Sequence, residues 1–372
     1  MSVMNKKYIK EAKNIINSNK NMKIIGITGS YGKTSTKNII NEILSESFSC
    51  IMTPKSFNTT LGVTKCIREN IKPYTEVFIC EMGAARLGEI KEICEIVKPN
   101  FSVITSIGPQ HLTSFKTMEN IQKAKFEIVE NSSQGSVSIL NIDNNYIDEG
   151  INLYAMDKKV IKYAIENKDE ADYYAENIET GERGSTFDVV IPGKESIKIK
   201  TRLLGKLNIL NVVCAVAVAD KLGLSPEEIK VGAKYLRPVP HRLELRQNPN
   251  GSIIIDDAYN SNIRGASMAL EVLKSFENKK RILITPGIVD LGDKAKEINK
   301  ELGNKAAEAS DFIILVGAKQ AIPIFEGIRE KKYPEKNVYI ANNLEDALRK
   351  MNQIIDSNSV VLLENDLPDN YL

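Results

Sequence analysis

The sequence lacks the features that mark a membrane or nucleic-acid-binding protein. Its 372 residues carry 50 lysines and arginines against 48 aspartates and glutamates, so the net charge is only +2. A chain with so little excess charge is not expected to bind nucleic acid or an anionic membrane surface. No apolar run reaches the ~18 residues of a membrane span, and we expect no signal peptide before the first strand. These absences predict a cytoplasmic protein.

Cysteine is scarce and dispersed as well. The five cysteines are Cys50, Cys66, Cys80, Cys94 and Cys214, and no two of them have Cys-x-x-Cys spacing. Neither a disulfide framework nor a zinc site is indicated, so we interpret these side chains as reduced thiols. We find no internal repeat and no low-complexity tract. What remains is a globular composition, with 42% hydrophobic residues and a length that suits about two to three domains.

One stretch near the N-terminus carries the clearest chemical signal, and it covers Lys23 to Lys37, KIIGITGSYGKTSTK. An apolar run predicts a buried strand, and Gly29 and Gly32 then bracket a turn whose backbone amides can surround an anion. Lys33 supplies a cation for phosphate oxygens and Thr34 a hydroxyl for Mg²⁺, at the start of a predicted helix. The spacing Thr-Gly-x-x-Gly-Lys-Thr is a narrow variant of the P-loop. The alternative is a chance glycine turn.

Strands and helices alternate along most of the chain. Buried strand patterns at residues 76–81, 101–107 and 136–142 alternate with helical patterns at residues 89–97 and 118–129, which predicts a parallel sheet with helices on both faces. Residues 158–202 contain short alternating segments that suggest an antiparallel extension. Alternation of strands and helices resumes from Ser252, which predicts a smaller, doubly wound domain. The expected fold is α/β, with a P-loop central domain on a parallel sheet and a smaller Rossmann-like C-terminal domain.

Three segments are expected along the chain. Residues 1–22 form a short N-terminal helix, residues 23–240 the central ATP-binding domain, and residues 241–372 the C-terminal Rossmann-like domain. The boundary is placed after Pro238-Val239-Pro240, because proline fixes φ and is rejected by helices, which makes this tripeptide a stiff linker.

Two polar side chains, Glu81 and His111, stand where predicted strands end. Ligands of open parallel sheets bind outside the carboxyl ends of the strands. Both side-chain types can bind a divalent cation that also contacts phosphates. The alternative for Glu81 is a surface or helix-capping carboxylate, and the alternative for His111 is an ordinary hydrogen-bonded loop histidine. Position alone does not decide between these interpretations.

Six blocks of sequence resemble the Mur ligase family in order and spacing: ITGSYGKTSTK, EMGAARLGEI, IGPQHLTSF with ENIQKAKFEI, GKLNILN, VPHRLEL and IIDDAYNSN. The chain is most similar to the branch that adds D-alanyl-D-alanine to a peptidoglycan precursor. The resemblance implies an ATP-dependent amide ligase. ATP phosphorylates a carboxylate donor, an amino-acid or peptide amine attacks the acyl phosphate, and ADP and phosphate leave. ATP and Mg²⁺ are the implied cofactors.

The resemblance also implies roles for individual residues. The implied ATP-binding set is Gly29, Ser30, Tyr31, Gly32, Lys33, Thr34, Ser35, Asn208, Asn211, Arg242 and Asp257. The implied magnesium set is Thr34, Glu81, His111 and Lys125, the last as a carbamate. The implied catalytic set is Lys33, Lys125, His111 and Arg242. The loop next to Asp257 is expected to be shaped by Tyr259, Asn260 and Asn262.

Several of these residues have ordinary alternatives. Carbamylation of Lys125 requires a neutral amine, which desolvation can supply, and otherwise Lys125 is an exposed helix lysine. Arg242 is expected to reach the γ-phosphate and Asp257 the ribose. Otherwise these two are a linker charge and a strand-end cap. Asn208 and Asn211 are placed on the adenine side, although Leu207 stands where the family usually has histidine.

Two departures from the family concern the substrates rather than ATP. Only residues 1–22 precede the P-loop strand, where the family has an N-terminal domain that binds UDP, and LLENDLPDNYL replaces a Lys-Gly-Ser-type loop. Three functions therefore stay open. The first is the wall-precursor reaction, and the second is the same chemistry on an archaeal-type wall peptide, a polyglutamate-like chain or a specialised peptide. The third is an ATP-binding subunit whose partner supplies the N-terminal domain. We expect the isolated chain to bind a UDP-linked muramyl peptide weakly.

Overall fold

The computed structural model describes residues 3–55, 57–259, 262–289 and 291–365. The chain forms two compact units. The first consists of Met1–Ile178, Thr186–Thr201 and Asn208–Leu236, and the second of Glu179–Ser185, Arg202–Leu207 and Arg237–Leu372. Two short segments from the middle of the chain therefore belong to the second unit.

The larger sheet has nine strands within the described residues. They are β1 (Lys23–Thr28), β2 (Cys50–Met52), β3 (Val77–Glu81), β4 (Phe101–Ile104), β5 (Val137–Asn141), β6 (Lys159–Ala164), β7 (Tyr173–Gly181), β8 (Gly184–Val190) and β9 (Ile197–Thr201). The helices of the first unit are α1 (Val3–Ser18), α2 (Lys33–Leu44), α3 (Thr60–Asn70), α4 (Glu89–Val97), α5 (Leu112–Phe115), α6 (Met118–Glu130), α7 (Asn145–Tyr154), α8 (Gly205–Lys221) and α9 (Pro226–Ala233), with a 3₁₀ turn at Lys168–Glu170.

The strand order of this sheet is β2-β3-β1-β4-β5-β6-β7-β8-β9. All neighbours from β2 to β7 in this order are parallel. Because β7 and β8 are neighbours joined by two residues, they run in opposite directions. The antiparallel extension suggested for residues 158–202 therefore begins only at β8. The crossover through α7 returns the chain to the same end of the sheet, which makes β6 a further parallel strand.

Strand β1 lies between β3 and β4. Ile25, Ile27 and Ile79 are fully buried, as expected for strands covered by helices on both faces. The parallel register pairs Ile27 with Glu81. The loop after β1 and the last residue of β3 consequently meet at one edge of the sheet.

Helix α1 confirms the helical pattern expected before the first strand. Ala12 is fully buried, and the helix packs against α3 and α4. On α3, Arg68 lies 3.8 Å from the ring centre of Tyr8 and pairs with Glu11 at 2.8 Å. Helix α1 is therefore packed into the first unit through both apolar and charged contacts.

Helix α8 is apolar on nearly all sides, and residues 212–219 are fully buried. A helix of this kind is a core helix in a globular protein or a membrane span. None of the helices in the described ranges has both the length and the apolar character needed to cross a membrane. Helix α8 is a core helix of the first unit.

The smaller sheet belongs to the second unit and consists of β10 (Glu244–Gln247), β11 (Ile253–Asp257), β12 (Lys280–Thr285), β13 (Phe312–Val316), β14 (Val338–Ala341) and β15 (Ser359–Glu364). Its helices are α10 (Ile263–Lys274), α11 (Ala295–Ala309), α12 (Ala318–Glu330) and α13 (Leu344–Ile354), with 3₁₀ turns at Gly292–Lys294 and Glu335–Asn337. The strand order is β10-β11-β15-β12-β13-β14, and only β10 is antiparallel to its neighbour. The predicted α/β fold with a Rossmann-like second unit is confirmed, with β10 as an added edge strand.

Candidate active site

The predicted glycine turn connects β1 to α2. Gly29 and Gly32 have φ angles of 155° and 84°, in the region that favours glycine. A Cβ atom on Gly29 would lie 2.1 Å from Oγ1 of Thr105, so a larger residue would displace the neighbouring loop. Gly32 directly precedes α2 and supplies no capping side chain. The first amides of α2 are therefore suited to an anionic ligand.

A second loop, residues 105–108 after β4, holds this turn in place, and we call it the clamping loop. The backbone amides of Ser30 and Tyr31 donate to the carbonyl and the hydroxyl of Ser106, both at 2.8 Å. Thr105 donates its hydroxyl to the Tyr31 carbonyl at 2.6 Å, and Ser30 donates to the Gly108 carbonyl at 3.0 Å. Strand β4 ends at Ile104, earlier than predicted, because the next residues bond this turn instead. An anion would thus meet the amides at the start of α2.

Lys33 bends back over the turn. Its Nζ donates to the carbonyl of Gly29 at 2.6 Å and lies 3.5 Å from that of Ser30. This contact places a positive charge where the sequence predicted phosphate oxygens. Lys33 is in the position expected of a P-loop lysine.

Glu81 ends β3 inside a buried polar cluster. Its Oε2 accepts from Thr34 Oγ1 at 3.1 Å and from Lys37 Nζ at 2.9 Å, and its Oε1 accepts from Asn58 Nδ2 at 3.1 Å. Lys37 also donates to the Lys55 carbonyl at 2.7 Å. The Glu81 side chain is only 2% exposed, so the interpretation as a surface carboxylate is wrong.

Electrostatics in this cluster favour the ionised form of Glu81. Burial by itself raises the pKa of the carboxyl, but the charges of Lys37 and Lys33 and hydrogen bonds from Lys37 and Asn58 lower the pKa below its ordinary value. No role for Lys37 or Asn58 is predicted from the sequence. The available signal for Lys37 was its spacing of four residues from Lys33, which places both lysines on one face of α2.

Lys125 lies in the middle of α6 and is 2% exposed, so it is not the exposed helix lysine of the alternative interpretation. Burial lowers its pKa to about 7, and the charge of Lys33 acts in the same direction. Glu127 and Glu89 oppose the shift. Lys125 therefore has a substantial neutral fraction near pH 7, and a neutral amine is the form that reacts with CO₂.

The two carboxylates that influence Lys125 are held at the start of α4. Glu127 accepts from the backbone amides of Gly88 at 2.6 Å and Lys91 at 3.0 Å. Glu89 accepts from the amide of Ala85 at 2.7 Å. These bonds fix the loop of the block EMGAARLGEI to the helix that carries Lys125.

His111 lies three residues after Gly108, the last residue of the 105–108 loop. It has a left-handed backbone, with φ of 53°, and it precedes α5. Its carbonyl accepts from the amides of Ser114 and Phe115 at 3.0 Å. The structure thus places His111 at the same end of β4 as the loop that contacts the P-loop, and its side chain is half-buried. Its role as a metal ligand stays a prediction.

Asn208 and Asn211 both lie on α8 and are buried. Asn211 accepts a hydrogen bond from Thr36 Oγ1 at 3.0 Å. Its Oδ1 would be 3.3 Å from a Cβ atom on Gly32. Within the ranges that the structure describes, the buried Nδ2 of Asn211 has no hydrogen-bond acceptor. Asn211 therefore lies against the start of α2, with one donor that a ligand or a water molecule could use.

Arg242 and Asp257 lie close together in the second unit. The charge of Arg242 lowers the pKa of Asp257, but burial is the larger cause and raises it above its ordinary value. Asp257 Oδ1 accepts from the amide of Leu243 at 3.0 Å. The guanidinium carbon of Arg242 lies 4.5 Å from the ring centre of Tyr259. Asp257 ends β11, as the sequence predicted.

The loop after β11 is only partly described. Asn262 caps α10 by accepting from the amide of Gly265 at 3.0 Å, which supports its expected role in shaping the loop. Tyr259 is 47% exposed, and Asn260 lies outside the described residues.

The donor set near Glu81 can be tested against Mg²⁺. Among the residues that the structure describes, no group of three or more His, Cys, Asp or Glu side chains is placed to hold a metal ion alone. Thr34 and Glu81 instead bring a hydroxyl and a carboxylate together beside the turn. Mg²⁺ usually binds one or two carboxylates together with substrate phosphates. The residues therefore fit a cation that arrives with a nucleotide.

Comparison with known proteins identifies the family. Residues 27–219 match the Mur ligase middle domain, and residues 241–364 match the Mur ligase, glutamate ligase domain. The chain belongs to the Mur ligase family. The resemblance found in the six sequence blocks is thereby confirmed.

Individual relatives support the same assignment. UDP-N-acetylmuramoyl-tripeptide--D-alanyl-D-alanine ligase from Bacillus subtilis is 30% identical over 322 residues, which cover 84% of this chain and 68% of the relative. The crystal structure of MurF from Acinetobacter baumannii matches with a TM-score of 0.86 at 26% identity, covering 96% of this chain and 76% of that one. MurF from Thermotoga maritima, solved with ADP, matches with a TM-score of 0.85 at 22% identity, over 98% and 81% of the two chains. This last likeness shows the fold. As a Mur ligase, the chain is an ATP-dependent enzyme that forms carbon–nitrogen bonds.

Proposed function

We propose that this Mur ligase joins D-alanyl-D-alanine to the carboxylate of a cell-wall precursor peptide in the cytoplasm. The names of its relatives support this choice of substrates. The chemistry consists of transfer of the γ-phosphoryl group of ATP to the donor carboxylate with release of ADP, attack of the amine on the acyl phosphate, and release of phosphate. The C–O bond to phosphate breaks as the C–N bond forms, and the amine loses a proton.

The observation that carries this proposal is the environment of Lys125. A buried lysine with a pKa of about 7 is suited to carbamylation, since the neutral amine attacks CO₂ and leaves a carbamate anion. Lys33, which lowers this pKa, is the cation expected to bind the phosphates. A structural lysine buried without such neighbours would give no reason to expect the modification.

The remaining residues of the first unit have complementary roles in the proposal. Lys33 and the amides at the start of α2 bind the phosphates of ATP, together with Gly29, Ser30, Tyr31, Gly32 and Ser35 as the frame of the turn. Thr34, Glu81, His111 and the carbamate of Lys125 would hold Mg²⁺. The metal, when bound, would supply neutralisation of the phosphate charge.

Nucleoside binding is proposed for residues of both units. Asn208 and Asn211 on α8 are assigned to the adenine side, supported by the buried Nδ2 of Asn211. Asp257 is assigned to the ribose, and Arg242 to the γ-phosphate. The stacking of Arg242 on Tyr259 limits the orientations of the guanidinium, which supports a defined position for this cation.

A second candidate is the same chemistry on a donor that lacks UDP. In the part of the chain that the structure describes, the residues before β1 form α1, which packs against α3 and α4. Calorimetry with the UDP-linked tripeptide separates the two candidates. Binding at about 1 μM or tighter, about −8 kcal/mol, that is lost after removal of UDP supports the first candidate. Weak binding that becomes tight when a partner protein is added would support a donor site shared between this chain and that partner.

Phosphate release tests the proposal directly. The full chain is incubated with ATP, MgCl₂, UDP-linked tripeptide and D-alanyl-D-alanine, and phosphate and the amide product are measured together. We expect release that requires both the acid and the amine. Release with another acid and amine, such as a glutamyl chain and glutamate, would assign the same reaction to a different substrate. Absence of amine-dependent release with every acid would contradict the proposal.

A further inference from the structure

Lys37 is a buried cation that the proposed reaction does not use. It stands one helical turn after Lys33 on α2, so both lysines lie on the same face of that helix. Its Nζ lies 2.9 Å from Oε2 of Glu81, and the two side chains are 1% and 2% exposed. It also donates to the carbonyl of Lys55 at 2.7 Å. The ion pair is thus shielded from water and fixed at both ends.

The oxygens of Glu81 are already well occupied. Oε2 accepts from Lys37 and Thr34, and Oε1 accepts from Asn58. A carboxylate offers roughly four lone-pair positions. Any cation that binds Glu81 therefore competes with these donors, and Lys37 is the only one of the three that carries a positive charge.

A buried carboxylate requires a compensating charge, because an isolated ion away from water is strongly disfavoured. We propose that Lys37 is the counter-ion of Glu81 in the metal-free enzyme and thereby limits the affinity of Glu81 for a divalent cation. Lys37 is in this sense a positioning residue that acts through Glu81. A divalent cation held by Glu81 would supply part of this compensating charge. The inference rests on the proposed function, which makes Glu81 a magnesium ligand.

Metal affinity gives the direct test. Lys37→Gln removes the charge but keeps a side chain that can donate to Glu81, whereas Lys37→Arg keeps the charge. Mn²⁺ replaces Mg²⁺ as the probe, and the free ion is measured by electron paramagnetic resonance during titration of the full chain. We expect Lys37→Gln to bind Mn²⁺ at least tenfold more tightly than the unchanged protein, which is about 1.4 kcal/mol, and Lys37→Arg to bind like the unchanged protein. Equal or weaker binding by Lys37→Gln, or no binding by any variant, would overturn the inference.

A double-variant cycle distinguishes this inference from the function on which it rests. Glu81→Gln should weaken Mn²⁺ binding, and adding Lys37→Gln to it should then change nothing, because Lys37 acts only through Glu81. If Glu81→Gln binds Mn²⁺ normally, the proposed metal ligand is wrong. If Glu81→Gln loses binding while Lys37→Gln equals the unchanged protein, only the role of Lys37 is wrong.

Thermal unfolding provides a readout that needs no catalysis and detects a folding defect. Without metal, Lys37→Gln should unfold at a lower temperature than Lys37→Arg, because Glu81 has lost its counter-charge. Added MgCl₂ should raise the melting temperature more in Lys37→Gln than in the unchanged protein, since a ligand that binds only the native state stabilises it. If Lys37→Gln fails to fold, Lys37→Met takes its place in both experiments. A purely structural lysine would give a loss of stability that MgCl₂ does not restore.

Discussion

The two units present their candidate site residues in different ways. In the first unit, a neighbouring loop binds the phosphate turn, and its residue Ser106 by itself makes three hydrogen bonds to the backbone of Ser30 and Tyr31. In the second unit, Arg242 lies between two residues with left-handed backbones, His241 and Leu243, whose φ angles are 61° and 48°. Its guanidinium carbon lies 4.5 Å from the ring centre of the half-exposed Tyr259.

The proposed reaction would use the two regions differently. Fully hydrogen-bonded buried polar groups fix a site in one geometry before the substrate arrives. Arg242 is only half-buried beside the half-exposed ring of Tyr259, whereas Glu81 in the first unit is almost fully buried. We therefore expect changes in the first unit to lower the rate, and changes in the second to weaken nucleotide binding.

Lys33→Ala is expected to have the largest effect. It removes the charge held over the turn by the Gly29 carbonyl, and loss of such an electrostatic contact typically costs about 10²- to 10³-fold in rate. The measurement is steady-state phosphate release, with circular dichroism to verify the fold. Lys20→Ala, an exposed lysine before β1, is the matched control. A folded Lys33→Ala protein with normal turnover would eliminate the phosphate site.

Lys125→Ala should have the next largest effect. We expect activity to fall about 10- to 100-fold or more, which is typical for a residue that supports a metal site. Short carboxylic acids should restore part of the activity by replacing the carbamate. Lys123→Ala, on the same helix and exposed, should remain active. Full activity of Lys125→Ala, with no response of the unchanged protein to CO₂ removal, would contradict a carbamate.

The pH dependence of reactivation after CO₂ removal sharpens this test. Because the folded pKa of Lys125 is about 7, the neutral amine increases as pH rises through 7, and the reactivation rate at constant CO₂ should level off above it. The unmodified enzyme should lose stability as pH falls from about 10.5 towards 7, because the unfolded chain takes up the proton first. A reactivation rate that climbs steadily to pH 10 would indicate an ordinary exposed lysine.

Asp257→Asn should raise the KM for ATP about tenfold, because a hydrogen bond to a charged group contributes about 1.5–3 kcal/mol and 1.4 kcal/mol is tenfold. The kcat should change little if the second unit contributes mainly to nucleotide binding. Asp256→Asn, the neighbour that pairs with His241 at 2.9 Å, is the control. A large loss of kcat with unchanged KM in Asp257→Asn would reverse the division between the two units.

The smallest effect is expected for Asn141→Ala, which tests whether the clamping loop depends on support from β5. Asn141 donates to the buried carbonyl of Thr105 at 2.8 Å, and leaving that oxygen without a donor costs about 1–3 kcal/mol of stability. ATP affinity should fall a few-fold as the loop loosens. Ser138→Ala removes another buried bond of the same sheet, 2.8 Å to Ser102, and should reduce stability without affecting ATP.

The sequence predicted most elements because their signals are local. Alternating strands and helices indicated the parallel sheet, and the glycine turn with Lys33 indicated the phosphate site. Strand β10 was missed because it is short and carries Glu244 and Arg246 on an edge. The buried state of Lys125 could be inferred only through the family resemblance, since a single lysine in a helix gives no sign of its environment.

The contacts that the sequence could not predict join residues far apart in the chain. Ser106 binds Tyr31 and Lys37 binds Glu81, and both pairings depend on which strands become neighbours in the sheet. A hydroxyl or an ammonium has no periodicity that identifies its partner. The pairing of β1 with β3 and β4 decides these contacts, and the sequence pattern does not give strand order.

The position of β15 has a consequence for the order in which the protein is made. Ser359–Glu364 is the last strand of the described chain, yet it lies between β11 and β12. A ribosome delivers β10 to β14 first, and these strands cannot assemble their sheet until the central one emerges. The second unit must therefore complete its fold only after β15 has been synthesised, with fully buried side chains such as Val361 and Leu362 as the last parts of the described interior. A translation product that stops before Ser359 would leave two apolar strand edges exposed to chaperones and proteases.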